Sequence, residues 1–123
     1  MLRDNKIKNT KRQQIAQEIK GALSEVLKLK AQSLDIRLVD SSITVTNVEM
    51  SGDLRIAFCY FVPSFGMNKK NEKEITAALF DNVKIIRMLV SKIVKLKYSP
   101  EIRLIYDRSY DKEETISNLL QDL

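Results

Sequence analysis

The chain has 123 residues, 44% hydrophobic and 30% charged, with a net charge of +5; that suits one globular domain with a modest core and excludes a disordered chain. It holds no histidine and a single cysteine, Cys59, which removes internal disulfides, the usual structural zinc sets and every catalytic scheme built on an imidazole base. A lone thiol fits a reducing cytoplasm, and apolar runs of a few residues fall far short of the roughly 20 needed to cross a bilayer.

Charge is placed along the chain rather than spread. Residues 1 to 12 carry five bases against one acid and residues 84 to 97 carry five against none, whereas residues 98 to 123 carry three against six. Residues 1–9 are polar and unpatterned and read as a flexible basic arm before a single domain over 10–123. The opening lacks the apolar core and cleavage site of a secretory signal.

Thr10-x-x-Gln13 has the form of a capping box, and Ile15, Ile19, Leu23 and Leu27 follow at four-residue steps with Ala16, Ala22 and Val26 beside them. This predicts an amphipathic helix over about residues 11–30. After the polar connector "AQSLDIRLVDSS", β-branched and aromatic residues dominate "ITVTNVEMSGDLRIAFCYFV", with Ser51-Gly52-Asp53 between two extended runs. The pattern predicts a β-hairpin. Ile43 and Val45 are in phase but Val48 and Met50 are not, so a bulge is expected near Thr46-Asn47.

Beyond the loop "PSFGMNK", Ile75, Ala78, Leu79, Val83, Ile86, Val90 and Ile93 recur at helical spacing, interrupted at Asp81-Asn82, and the helical pattern runs on to Tyr98-Ser99-Pro100. Two helices or one kinked helix fit. "EIRLIYD" alternates as a third strand, and Ile116, Leu119, Leu120 and Leu123 suggest a short closing helix. The order helix, strand, strand, helix, helix, strand, helix is that of an α+β two-layer domain.

The basic helix carries the clearest chemical signal. At about 100° per residue, Lys84, Arg87, Ser91, Lys92 and Lys95 fall within an arc of roughly 140°, opposite Ile86, Leu89, Val90, Ile93 and Leu96. Like charges at one-turn spacing repel, and phosphates are the obvious anions to relieve them. A merely solvated face and an acidic protein partner are the competing readings. A membrane surface is disfavoured, because the helix's apolar side is needed for the core.

Other groups point less clearly. Ser91 near Lys92 and Lys95 has the makings of a Ser-Lys pair, but any small basic domain supplies such neighbours. Asp107, Asp111, Glu113 and Glu114 read as complements to a helix dipole before a cation site. Tyr98 and Tyr110 could stack on bases, yet tyrosines at element ends are commonly half-buried packing residues. Phe58 and Phe61 read as sheet packing, and Cys59 as a small hydrophobe.

With these features in order, the sequence resembles the ribosome-binding factor A family over about residues 11–121. The matching stretches are "KRQQIAQEIKGALSEVL", "DIRLVDSSITVTNVEMSGDLRIAFCYFV" and "IIRMLVSKIVKLKYSPEIRLIYDRS". The family's helix-leading arginine corresponds to Arg12, its acid after the hairpin loop to Asp53, and its arginine early in the basic helix to Arg87. Pro100 matches its proline before the last strand, and Asp107 its strand-ending acid.

The resemblance implies a type II KH-like fold without the GxxG loop of ordinary KH domains, and Gly21, Gly52 and Gly66 are indeed isolated. Where the family has an Ala-x-Gly kink this chain reads Asn82-Val83-Lys84, and Ile36 replaces the proline of an Asp-Pro-Arg connector. It further implies a non-enzymatic, monomeric, cytoplasmic factor in ribosome biogenesis. Such a factor binds free or immature small (30S) subunits through 16S rRNA and supports late subunit and rRNA maturation. It takes no cofactor, metal, small-molecule substrate or membrane. The residues expected to meet RNA are Lys11, Arg12, Lys84, Arg87, Lys92, Lys95 and Lys97.

Overall fold

The computed structural model describes residues 2–39, 42–63 and 69–109, apart from the side chains of residues 2–9, 32 and 69–71. The expected closing helix, with Tyr110, Asp111, Glu113 and Glu114, lies outside the described residues.

Helix α1 spans Leu2–Leu29. It begins nine positions before the expected start, so residues 2–9 extend the helix where the sequence suggested an arm. The reason is local: these residues include neither glycine nor proline, and lysine and arginine are good helix formers. Ile19, Leu23, Val26 and Leu27 are buried on its inner face with Ala16 and Ala22, and Ile15 packs at the edge. Each large aliphatic side chain so buried contributes about 1.5–3 kcal/mol of transfer free energy.

A single turn, α2 (Ala31–Leu34), and a 3-10 turn over Ile36–Leu38 connect α1 to the hairpin. The second turn is organised by Asp35, whose carboxylate accepts Arg37 N at 3.0 Å. Ile36, at the family's proline position, is 86% exposed, so the exchange disturbs no packing.

Strands β1 (Ile43–Met50) and β2 (Ile56–Pro63) pair antiparallel. The register passes from Val45↔Phe61 directly to Asn47↔Tyr60, leaving Thr46 as the extra residue of the expected bulge. That insertion brings Val45, Val48 and Met50 onto one buried face despite their broken alternation. Ala57, Cys59 and Phe61 form the matching inner face of β2.

In the turn, Leu54 N donates to Ser51 O at 3.0 Å and Leu54 takes φ +62°. A leucine there costs about 1 kcal/mol. The Ser51 hydroxyl donates to Asp53 Oδ1 and accepts from Ile56 N, holding the conformation, and the Leu54 side chain packs against the core.

Helices α3 (Lys69–Asp81) and α4 (Val83–Ile93) return the chain over the sheet, and β3 (Glu101–Tyr106) joins β2 in parallel. A parallel pair needs such a crossover, which the two helices supply. The sheet order is β1-β2-β3, with the helices on one face, so the architecture is the expected two-layer α+β fold.

Two side-chain contacts fasten the ends of the layers. Thr46, freed by the bulge, donates its hydroxyl to Asp107 Oδ2 at 2.6 Å, while Asp107 N donates to Phe61 O at 2.8 Å. Phe61 and Tyr106 meet edge to face with centroids 6.0 Å apart. Hydrogen bonds from Ser109 and Thr46 hold the Asp107 carboxyl below the usual carboxylate range.

Candidate nucleic-acid interface

Helix α4 buries Ile86 and Val90 and exposes Lys84, Arg87 and Lys92. The helix stops at Ile93, however: Val94 is extended (φ −97°, ψ 107°), although its N–H still bonds Val90 O. Lys95 and Lys97 therefore stand on a non-helical connector to Pro100, and the arc that put Lys95 beside Lys84 does not hold. Ile93 and Val94 are β-branched and favour the extended backbone. Ile93, expected on the inner side, is 46% exposed.

The interruption at Asn82 is real and structured. Asn82 takes φ −106°, ψ 10° between the two helices and is buried, with Nδ2 donating to Ala78 O at 2.7 Å and to Asp35 Oδ2 at 2.9 Å. Asp35 in turn accepts Arg37 Nη2 at 2.7 Å, and the same nitrogen reaches Asp81 Oδ2 at 2.9 Å. Arg37's hydrogen bonds hold the Asp35 carboxyl far below its ordinary range, and Asp35, then Asp81, push the guanidinium up. The connector between α1 and the hairpin thus grips the break between α3 and α4.

At the other end of α4, Arg87 Nη2 donates to Ser99 O at 2.7 Å. Ser91 Oγ donates to Arg87 O at 2.7 Å and contacts Ser99 Oγ. Those bonds occupy the hydroxyl that a Ser-Lys pair would need, and they fold the connector back against the helix.

The fold-back creates an open groove of about 790 Å³ between α1, the hairpin turn and the connector. Lys11, Arg55, Arg87 and Lys97 line it, with Ile15, Leu54 and Leu96 as an apolar floor and Tyr98 at the rim. Two acids, Asp53 and Glu101, also line it, but each faces a basic neighbour, Arg55 at 3.9 Å and Arg103 at 3.6 Å. The Ser51 hydroxyl and Arg55 N–H hold the Asp53 carboxyl below its ordinary range.

Tyr98 is 77% exposed, with Lys97 Nζ 5.7 Å from its ring centroid; it is not the half-buried packing residue expected at an element end. Arg12 lines a different groove, formed by α1 and β1 with Asn47 and Glu49. The seven expected cations are therefore divided. Lys11, Arg87 and Lys97 converge, Lys84 and Lys92 share the outer side of α4, Lys95 is on the connector, and Arg12 faces β1.

Arg55 joined the groove without a sequence signal, because it read as a strand residue; β2 begins only at Ile56. Met88, 51% exposed, falls between Lys84 and Lys92 on α4, so that side is mixed rather than purely cationic. Phe61 is core, as expected, and Phe58 lies on the outer sheet face with Arg103 5.7 Å from its ring centroid. Cys59 is fully buried, and burial pushes its thiol up to about 12.

Residues 11–120 match the family described as ribosome-binding factor A. This chain belongs to that family. Relatives named ribosome-binding factor A include those of Rickettsia bellii, 39% identical over 115 residues (93% of this chain and 91% of the relative), and Rickettsia africae, 37% identical over 113 residues (92% of each).

Solved structures carry the same fold. A ribosome-binding factor A candidate from Thermotoga maritima, solved by NMR, is 32% identical with a TM-score of 0.61 over 76% of this chain and 84% of its own. The Thermus thermophilus crystal structure gives 0.60 at 21% identity, over 77% and 93%. A homology model of the Thermus thermophilus protein, fitted into the cryo-EM map of a complex with the 30S subunit, gives 0.56 at 23% identity, over 74% and 89%. The fold is accordingly the KH-like one of ribosome-binding factor A.

Proposed function

We propose that this chain binds the small ribosomal subunit through phosphates of its 16S rRNA and supports late maturation of that subunit and its rRNA, without catalysing a reaction. The observation that carries the reading is the groove in which α1, the hairpin turn, α4 and the connector each contribute a cation around an exposed tyrosine. Family membership and the 30S complex of the Thermus thermophilus relative support the choice of partner.

Lys11, Arg55, Arg87 and Lys97 make the phosphate contacts, and Tyr98 offers a ring for an unstacked base. Arg87 has spent Nη2 on Ser99 O, so it acts as a positioned cation more than as a two-pronged fork. Lys84, Lys92, Lys95 and Arg12 add field around the groove, while the protein works as a cytoplasmic monomer that departs before translation.

The test is co-sedimentation of the full chain with purified free small subunits and, separately, with assembled ribosomes. Binding to free subunits in preference to assembled ribosomes is the expected result. Equal binding to both, or binding to neither, contradicts the proposal.

A further inference from the structure

Lys97 and Tyr98 reach the groove from a connector that is neither helix nor strand, yet the residue on either side of the two is fixed. Leu96 packs against the core, and Ser99 is held by α4 at both its main-chain carbonyl and its hydroxyl. The lysine and the tyrosine are thus carried between one apolar anchor and one polar one.

The polar anchor is a closed ring of hydrogen bonds. Arg87 Nη2 donates to Ser99 O at 2.7 Å, and Ser91 Oγ donates to Arg87 O at 2.7 Å. A serine hydroxyl has one proton, and that of Ser91 is committed to Arg87 O; where the two hydroxyls meet, Ser99 therefore donates and Ser91 accepts. Arg87 and Ser91 stand four positions apart on one face of α4, which lets both reach Ser99. Arg87 and Ser99 line the groove and Ser91 does not. Any effect of the Ser91 hydroxyl on a bound RNA passes through these neighbours.

A side chain or loop that must be ordered on binding subtracts from affinity, whereas one already held in place does not. Without the ring, Lys97 and Tyr98 lose the anchor on their far side and Arg87 loses the contact that orients its guanidinium. We propose that Ser91 is a positioning residue of the RNA site, acting through Ser99 to hold Lys97 and Tyr98 at the groove. The role rests on the groove being the rRNA contact and adds the device that sets its shape.

Ser91→Ala is the direct test, since it removes both hydroxyl bonds at unchanged charge and alanine is the better helix former. The natural chain and the variant are each mixed with free small subunits over a salt series, and their urea midpoints are measured alongside. Ser91→Ala should bind about two- to tenfold more weakly, with a shallower salt slope as Lys97 leaves its phosphate, while its urea midpoint stays equal or rises. Lys97→Gln should cost much less in the Ser91→Ala chain than in the natural one, because the two residues act as a unit. Ser91→Thr keeps a hydroxyl able to bond the carbonyl four residues back and should restore the natural affinity. Ser24→Ala is the control: Ser24 Oγ makes the same kind of bond, to Lys20 O at 2.7 Å on α1, without lining the groove, and its loss should leave affinity unchanged.

Natural affinity and slope in Ser91→Ala, or effects of Ser91→Ala and Lys97→Gln that simply add, overturn the positioning role and leave the groove's part in rRNA binding intact. A natural chain that fails to bind free small subunits overturns both.

Discussion

Asn82 Nδ2 donates to Asp35 Oδ2 at 2.9 Å across 47 positions of sequence, and the same nitrogen bonds Ala78 O at 2.7 Å. The bend between α3 and α4 is thus held by an amide that satisfies a helix carbonyl and a carboxylate together. This chain fixes the bend with a side chain. Asn82→Leu keeps the number of side-chain heavy atoms and removes both bonds, leaving the carboxylate without one of its donors. Loss of about 1–3 kcal/mol is expected, read as a lower urea midpoint at unchanged m.

Asp35 adds a pH dependence with a definite sign. Its folded carboxyl is held below the ordinary range, chiefly by Arg37, so its stabilisation is complete above the unfolded value of about 3.9 and is lost as the pH falls through and below it. The urea midpoint of the natural chain should therefore exceed that of Asp35→Asn at neutral pH, and the gap should narrow as the pH drops below about 4. A constant gap across that range contradicts the network.

Gly21 lies inside α1, exposed, with nothing within 4 Å of a Cβ built there. No turn or close approach requires glycine at this site. Gly21→Ala should raise stability by about 0.5–1 kcal/mol, measured by thermal or urea unfolding.

Cys59 faces the core from the central strand, and burial raises its thiol to about 12. The native chain should resist thiol reagents at neutral pH and react only as it opens. Labelling should accelerate in urea in step with unfolding, and rapid labelling of the native chain contradicts the burial.

The hairpin and its bulge were legible because each rests on local pattern: alternation, a Ser-Gly-Asp turn, and a phase slip between Val45 and Val48. The inner faces of α1 and α4 were legible for the same reason. The end of α4 was not, because Ile93, Val94 and Leu96 fit both a helical stripe and an extended chain, and only the bonds of Arg87 and Ser91 to Ser99 show which one forms. The start of α1 was obscured by a capping-box pattern that the helix passes through.

The groove was still less accessible to sequence reading. Its cations come from positions 11, 55, 87 and 97, and no periodicity joins them; their meeting depends on α1 packing beside α4 and on a connector folding back. Neighbours in sequence are correspondingly poor guides, since Lys11 and Arg12 line separate grooves.

The salt dependence of affinity for free small subunits tests the groove most directly. Each phosphate neutralised contributes about 0.7–0.9 to the slope of log affinity against log salt. Lys11→Gln with Lys97→Gln should lower that slope by about one unit or more, while Lys28→Gln with Lys30→Gln, the same charge change at the other end of α1, should leave it near the natural value. Equal slopes for the two double variants would contradict a groove that meets rRNA.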